Sequence, residues 1–217
     1  MIDIHPQDAR HAVIWLHGLG DSGAGLAPLV DALDLPANLP VRHLLPDAPE
    51  RPITINMGYK MRGWYDIKSF DDPADRAVES HVRESAARIA ALLDQLVAEG
   101  FAPERILLAG FSQGGVIASF TALRHPVRLA GLLCMSTYLA APDALLAEMN
   151  EAARSLPICY MHGIYDDVVN LSMGWDAKNR LEAAGLTLEW HEYPMRHEIC
   201  RPQLDDIRSW LLARLSA

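Results

Sequence analysis

The run Gly110-Phe111-Ser112-Gln113-Gly114-Gly115 sets a serine between two glycines spaced two residues to either side, the pattern G-x-S-x-G. A serine hydroxyl is a poor nucleophile at neutral pH, so a protein that uses one must expose it and set a base against it. The glycines answer the first need. On a sharp strand-to-helix turn, side chains two residues before and after the serine collide with the neighbouring strand and helix, and Gly110 and Gly114 remove those collisions. Gly115 lets the helix come closer still.

Five residues are few enough to match by chance, so the setting decides. Ile106-Leu107-Leu108-Ala109 reads as a buried strand, and Val116 to Arg124 reads as a helix. Strand, glycine-flanked serine and helix in that order resemble the nucleophile turn of the α/β-hydrolases, in which an acid and then a histidine follow on loops after later strands. His162-Gly163-Ile164-Tyr165-Asp166-Asp167 begins at the end of a strand-like run, Ile158 to His162. Either Asp166 or Asp167 can be the acid, and an aspartate at such a place also serves as a helix cap. His191 falls inside an alternating strand, Thr187 to Tyr193, where a structural role is expected, whereas His197 follows Pro194 on a loop. His197 is therefore the candidate base.

Acyl transfer also needs backbone N–H groups fixed beforehand for the oxyanion. In this fold one comes from the residue after the nucleophile, here Gln113, and one from the loop after an early strand. His17-Gly18-Leu19-Gly20-Asp21 is such a loop, so Leu19 is the expected second donor, with His17 orienting the loop.

The elements that must carry these residues alternate along the chain, which implies a mostly parallel sheet with helices on both faces. Strands are expected at Ala12 to His17, Val41 to Leu45, Ile106 to Ala109, Leu129 to Met135, Ile158 to His162 and Thr187 to Tyr193, with a glycine-rich loop between the first two. Helices are expected from Asp72 to Glu99, stopped by Gly100, and over Val116 to Arg124, Pro142 to Ala153, Met173 to Ala184 and Pro202 to Leu215. Residues 51–70 form an irregular excursion with Met57, Tyr59, Met61, Trp64, Tyr65 and Phe70, including a short strand around Trp64 to Ile67. No repeat or linker interrupts the chain, and residues 1–217 are read as one domain.

Composition bounds the partners. The chain has 217 residues, half of them hydrophobic, and a net charge of -9. That charge disfavours nucleic acid and anionic lipid. The first ten residues have no basic start and no apolar run, no segment reaches the roughly 18 apolar residues of a membrane span, and Cys134, Cys159 and Cys200 are odd in number. A cytoplasmic protein with reduced thiols and no stable membrane insertion is expected. Nine histidines fall into no metal-binding spacing, and Gly18 to Gly25 do not complete a dinucleotide fingerprint, so no metal and no cofactor is expected.

Five stretches together are similar to the acyl-protein thioesterases and small carboxylesterases, the phospholipase/carboxylesterase family. They are L-H-G-L-G-D-S-G at residues 16–23, G-W-Y-D-I at 63–67, G-F-S-Q-G-G at 110–115, H-G-I-Y-D-D-V-V at 162–169 and Y-P-M-R-H-E-I-C at 193–200. The resemblance implies an α/β-hydrolase without a large lid, acting through an acyl-enzyme on Ser112 with Asp166 as acid, His197 as base, and Leu19 and Gln113 as oxyanion donors. It implies a small acyl-ester or thioester as substrate, short- to medium-chain carboxylic esters first, thioesters of acylated proteins or lysophospholipids as the alternative. The Trp-containing excursion, with Trp64 and Met61, would line the acyl pocket. A homodimer is compatible with it, and a non-catalytic binding module is the competing class. One departure stands out: Arg196 replaces the glycine common before the histidine. If that glycine has a positive φ, an arginine there is strained by about 1–2 kcal/mol. Its guanidinium is also expected near the substrate, favouring one with a negative group.

Overall fold

A computed structural model describes residues 1–69 and 76–215. In chain order the elements are β1 (Ile2–Ile4), β2 (His11–Leu16), α1 (Gly23–Ala32), β3 (Val41–Leu45), β4 (Glu50–Ile53), β5 (Tyr59–Arg62) and α2 (Glu79–Ala98). They continue as β6 (Ile106–Phe111), α3 (Gln113–Ala122), β7 (Gly131–Met135), α4 (Pro142–Ala147), β8 (Ile158–Gly163), α5 (Leu171–Ala183), β9 (Leu188–Tyr193) and α6 (Arg201–Leu215). Seven strands form one sheet in the order β1-β3-β2-β6-β7-β8-β9, parallel except for β1. The fold is that of an α/β-hydrolase, with no large lid among the described residues.

The central strands read as unbroken apolar runs because both of their faces are covered. Along β2, Ala12, Ile14 and Leu16 face one core while Val13 and Trp15 face the other; β6, β7 and β8 divide in the same way. The first core is closed by α2, α3 and α5 through residues such as Ile89, Ile117 and Leu181. The second is closed by α1 and α6 through Leu26, Val30, Ile207 and Leu211. Since the strands are parallel, their carboxyl ends share one edge, where ligands bind in such sheets.

Several local expectations are corrected. The expected glycine-rich loop contains α1, whose Gly23, Gly25 and Pro28 are poor helix formers. Caps compensate: Ser22 Oγ accepts from Gly25 N–H at 3.1 Å, and Asp47 Oδ1 accepts from Gly23 N–H at 2.9 Å. The excursion holds an antiparallel hairpin, β4 with β5, and only an isolated bridge, Ile67 with Ala77, where a strand is expected. That bridge also delays α2. Val78 is extended and donates its N–H to Asp66 O at 3.0 Å, so the helix starts at Glu79; the expected start, Asp72, lies outside the described residues, as does Phe70. The helix from Pro142 ends at Ala147, and a separate tight turn at residues 151–155 is capped by Asn150.

One buried pair makes stability depend on pH. Trp15 Nε1–H donates to His43 Nδ1 at 3.0 Å, so the imidazole must be neutral there, and burial pushes its pKa down to about 4. The unfolded chain therefore binds this proton more readily between about pH 6.5 and 4, and stability falls as pH drops through that window. His43 should contribute about 3 kcal/mol of loss between pH 7 and pH 4. Urea unfolding across this range should show a flatter profile for His43→Gln, whose amide oxygen still accepts from Trp15. Parallel profiles would count against this account.

Candidate active site

Strand β6 ends at Phe111 and α3 begins at Gln113, so Ser112 alone makes the turn, with φ 54° and ψ -120°. A non-glycine residue held there costs about 1–3 kcal/mol, which the surroundings must impose. They do so through hydrogen bonds, Ser112 N–H to Met135 O at 2.9 Å and Thr137 Oγ1–H to Ser112 O at 2.8 Å. They also do so through close packing. A Cβ on Gly110 would lie 2.3 Å from the Gly114 carbonyl, and one on Gly114 would lie 2.0 Å from Leu16 O. Any larger residue at either place would force the turn open.

The loops after β8 and β9 bring Asp166 and His197 to this serine. His197 Nε2 lies 3.0 Å from Ser112 Oγ, and His197 Nδ1 lies 2.7 Å from Asp166 Oδ2. This geometry suits a serine hydroxyl donating to Nε2 and an Nδ1–H donating to the carboxylate. The other carboxylate oxygen, Oδ1, accepts from Val168 N–H at 2.9 Å and Val169 N–H at 2.8 Å. Burial raises the Asp166 pKa, but the hydrogen bonds from His197 and the two amides outweigh it and hold the carboxyl below its ordinary value. It is thus charged when it faces the imidazole.

Burial also separates the two neighbouring aspartates. The Asp166 side chain is wholly buried, while Asp167 is 62% exposed and pairs with Arg196 at 3.4 Å. His191 stays apart from the site, its ring stacked at 6.5 Å on Tyr193. His17 orients the loop after β2: Nδ1–H donates to Gly18 O at 2.6 Å, and Nε2 accepts from Ala48 N–H at 3.0 Å.

Leu19 and Gln113 both line a cavity of about 240 Å³ that also contains Ser112 and His197. As the first residue of α3, Gln113 has an N–H with no acceptor inside the helix. The apolar walls come from Tyr65, Ile67, Tyr138, Val168 and Val169.

Trp64 and Met61 are not on these walls. Trp64 is buried behind them, its Nε1–H donating to His17 O at 2.8 Å and its backbone N–H to Gln113 Oε1 at 3.0 Å. Met61 packs beside Gly20 and accepts from Asn56 Nδ2 at 3.4 Å. Arg196 is also corrected. It is absent from the described non-glycine residues with positive φ, so no left-handed strain arises, and its guanidinium points to Asp167 on the surface.

Three contributors carry no chemical role in the sequence reading. Phe111 packs its ring against His197 at 4.8 Å, and the Gln113 side chain ties the excursion to the turn by donating to Tyr65 O at 2.9 Å. Buried His162 donates Nε2–H to Val169 O at 2.8 Å, fixing the loop whose amides hold Asp166. His162 lies within a quoted motif, H-G-I-Y-D-D, so a signal existed for it. Among the described residues, no three of the metal-binding types come together.

The model of the phospholipase/carboxylesterase family matches residues 2–214. The chain belongs to that family. Among members, acyl-protein thioesterase 1 of Neurospora crassa is 37% identical, over 97% of this chain and 90% of that protein. Carboxylesterase SOBER1 of Arabidopsis thaliana is 34% identical over 95% of this chain and 92% of its own length. The SOBER1 crystal structure superposes with a TM-score of 0.88, at 34% identity, covering 95% of this chain and all of that one. Family membership makes the protein a hydrolase of the serine-esterase kind. No described helix is long and apolar enough to cross a membrane.

Proposed function

We propose that Ser112 is the nucleophile, His197 the general base and Asp166 the acid of a carboxylesterase acting on short- to medium-chain acyl esters. One observation carries this reading: His197 stands within hydrogen-bond distance of both Ser112 Oγ and Asp166 Oδ2, at 3.0 and 2.7 Å. His197 takes the serine proton as Oγ attacks the acyl carbonyl, and Asp166 holds the tautomer and stabilises the imidazolium. The N–H groups of Gln113 and Leu19 receive the oxyanion. His197 then gives its proton to the leaving alcohol, and water repeats the attack on the acyl-enzyme to release the acid. No step calls on a metal or an organic cofactor.

The same steps serve a thioester, with a thiol as leaving group, and likeness to an acyl-protein thioesterase favours that second reading. We further propose that residues 1–217 act as one domain in the cytoplasm, where Cys134, Cys159 and Cys200 remain free thiols, the state the structure describes. Substrate is held by the cavity walls, with Trp64 buried behind them, Met61 beside Gly20, and the Arg196 guanidinium paired with Asp167 on the surface.

A fluorophosphonate reacts with an activated serine and stays on it. Incubation followed by peptide mapping should find one adduct, on Ser112. Folded protein with Ser112 unmodified would overturn the assignment.

A further inference from the structure

Two recesses meet at Tyr138. One is the cavity of about 240 Å³ beside Ser112. The other, about 610 Å³, is lined by Tyr138 together with Leu139, Pro142, Ala144 and Met173, with Arg180 among its polar groups. Tyr138 is thus a wall common to both, with a larger and partly apolar space behind it.

The wall is built from two parts of the chain. Tyr65 follows β5, Tyr138 lies between β7 and α4, and their hydroxyls are 2.9 Å apart with both side chains buried. Burial pushes the pKa of both phenols up, so both remain protonated and one donates to the other. Arg76 fixes the wall from a third side. Its guanidinium lies 5.1 Å from the Tyr138 ring centre, and it donates to Val168 O at 3.0 Å and to Met173 Sδ at 3.5 Å.

We propose that the hydroxyl pair Tyr65–Tyr138 is the stop that ends the acyl site and sets the longest acyl chain the enzyme accepts. The inference rests on the reading of Ser112 as nucleophile and adds which substrates reach it. A chain that outgrows the smaller cavity must part the two phenols and break the buried hydrogen bond between their hydroxyls. Shortening Tyr138 removes the wall and joins the recesses, so the added methylenes gain apolar surface to cover.

The test is kcat/KM on p-nitrophenyl esters from acetate to myristate, for the wild type, Tyr138→Ala and Tyr65→Phe. In the wild type, laurate should be at least about ten-fold poorer than butyrate, the scale set by one or two misfit methylenes. Tyr138→Ala should raise the laurate-to-butyrate ratio about ten-fold or more, and Tyr65→Phe, which keeps the ring and loses only the hydroxyl, about two- to three-fold. Should Tyr138→Ala not fold, Tyr65→Phe decides. A wild type that takes laurate as well as butyrate overturns the proposal, as does an unchanged ratio in the variants that fold. Wild-type protein that neither hydrolyses any ester nor takes a fluorophosphonate on Ser112 removes the nucleophile reading, and the stop with it.

Discussion

Ser112→Ala and His197→Ala should each lower kcat on p-nitrophenyl butyrate by up to about a million-fold, and the double variant should lose little more than either alone. The expectation follows from a shared step. In the proposed mechanism Ser112 Oγ and His197 Nε2, 3.0 Å apart, exchange one proton during attack, so either residue without the other would leave no activated nucleophile. What should survive is catalysis by the proposed oxyanion donors and by binding, about a thousand- to ten-thousand-fold over water, which neither substitution touches. Alanine at position 112 keeps a Cβ at φ 54°, so the backbone strain persists and the melting temperature should hardly move. Losses that multiply in the double variant would mean two independent contributions and would defeat the shared step.

The sheet was legible in the sequence because its central strands are buried on both faces, which writes them as plain apolar runs. The elements that escaped are held by contacts between distant residues. Strand β1 is three residues long and is fixed to β3 by Arg42, whose guanidinium donates to both Asp3 oxygens at 3.0 and 2.8 Å. Helix α1 depends on Asp47, over twenty positions from the N–H it caps. Neither partner is visible in a local window.

The site divides along the same line. Chain order isolates Ser112 and His197, because each has a distinctive local setting. It favours Asp166 over Asp167 only modestly, since the difference between them is burial, and burial is a property of the fold. The family resemblance implies that Trp64 lines the pocket, yet its indole N–H is taken up by His17 O, which turns the ring into a support. Tyr138 has no local signal at all; its partner Tyr65 is 73 residues away.

The two adjacent aspartates give the sharpest contrast. Asp166→Asn should lower kcat about ten-thousand-fold, or about 5 kcal/mol of transition-state stabilisation, while Asp167→Asn should stay within about two-fold of wild type. An asparagine at 166 is nearly isosteric, and its oxygen can still accept from the Val168 and Val169 N–H groups, so the loop should keep its shape. Its amide then presents N–H to His197 Nδ1, where a carboxylate oxygen had stood at 2.7 Å. That favours the tautomer with the proton on Nε2, which cannot take the proton of Ser112, and it removes the charge that stabilises the imidazolium. Among the described residues, Asp167 pairs with the exposed guanidinium of Arg196 at 3.4 Å, a surface pair worth about 0–1 kcal/mol. Steady-state rates on one short ester, with thermal unfolding as the control for folding, separate the two. Comparable losses at both positions would place the acid's role outside Asp166 and return the choice to where chain order alone leaves it.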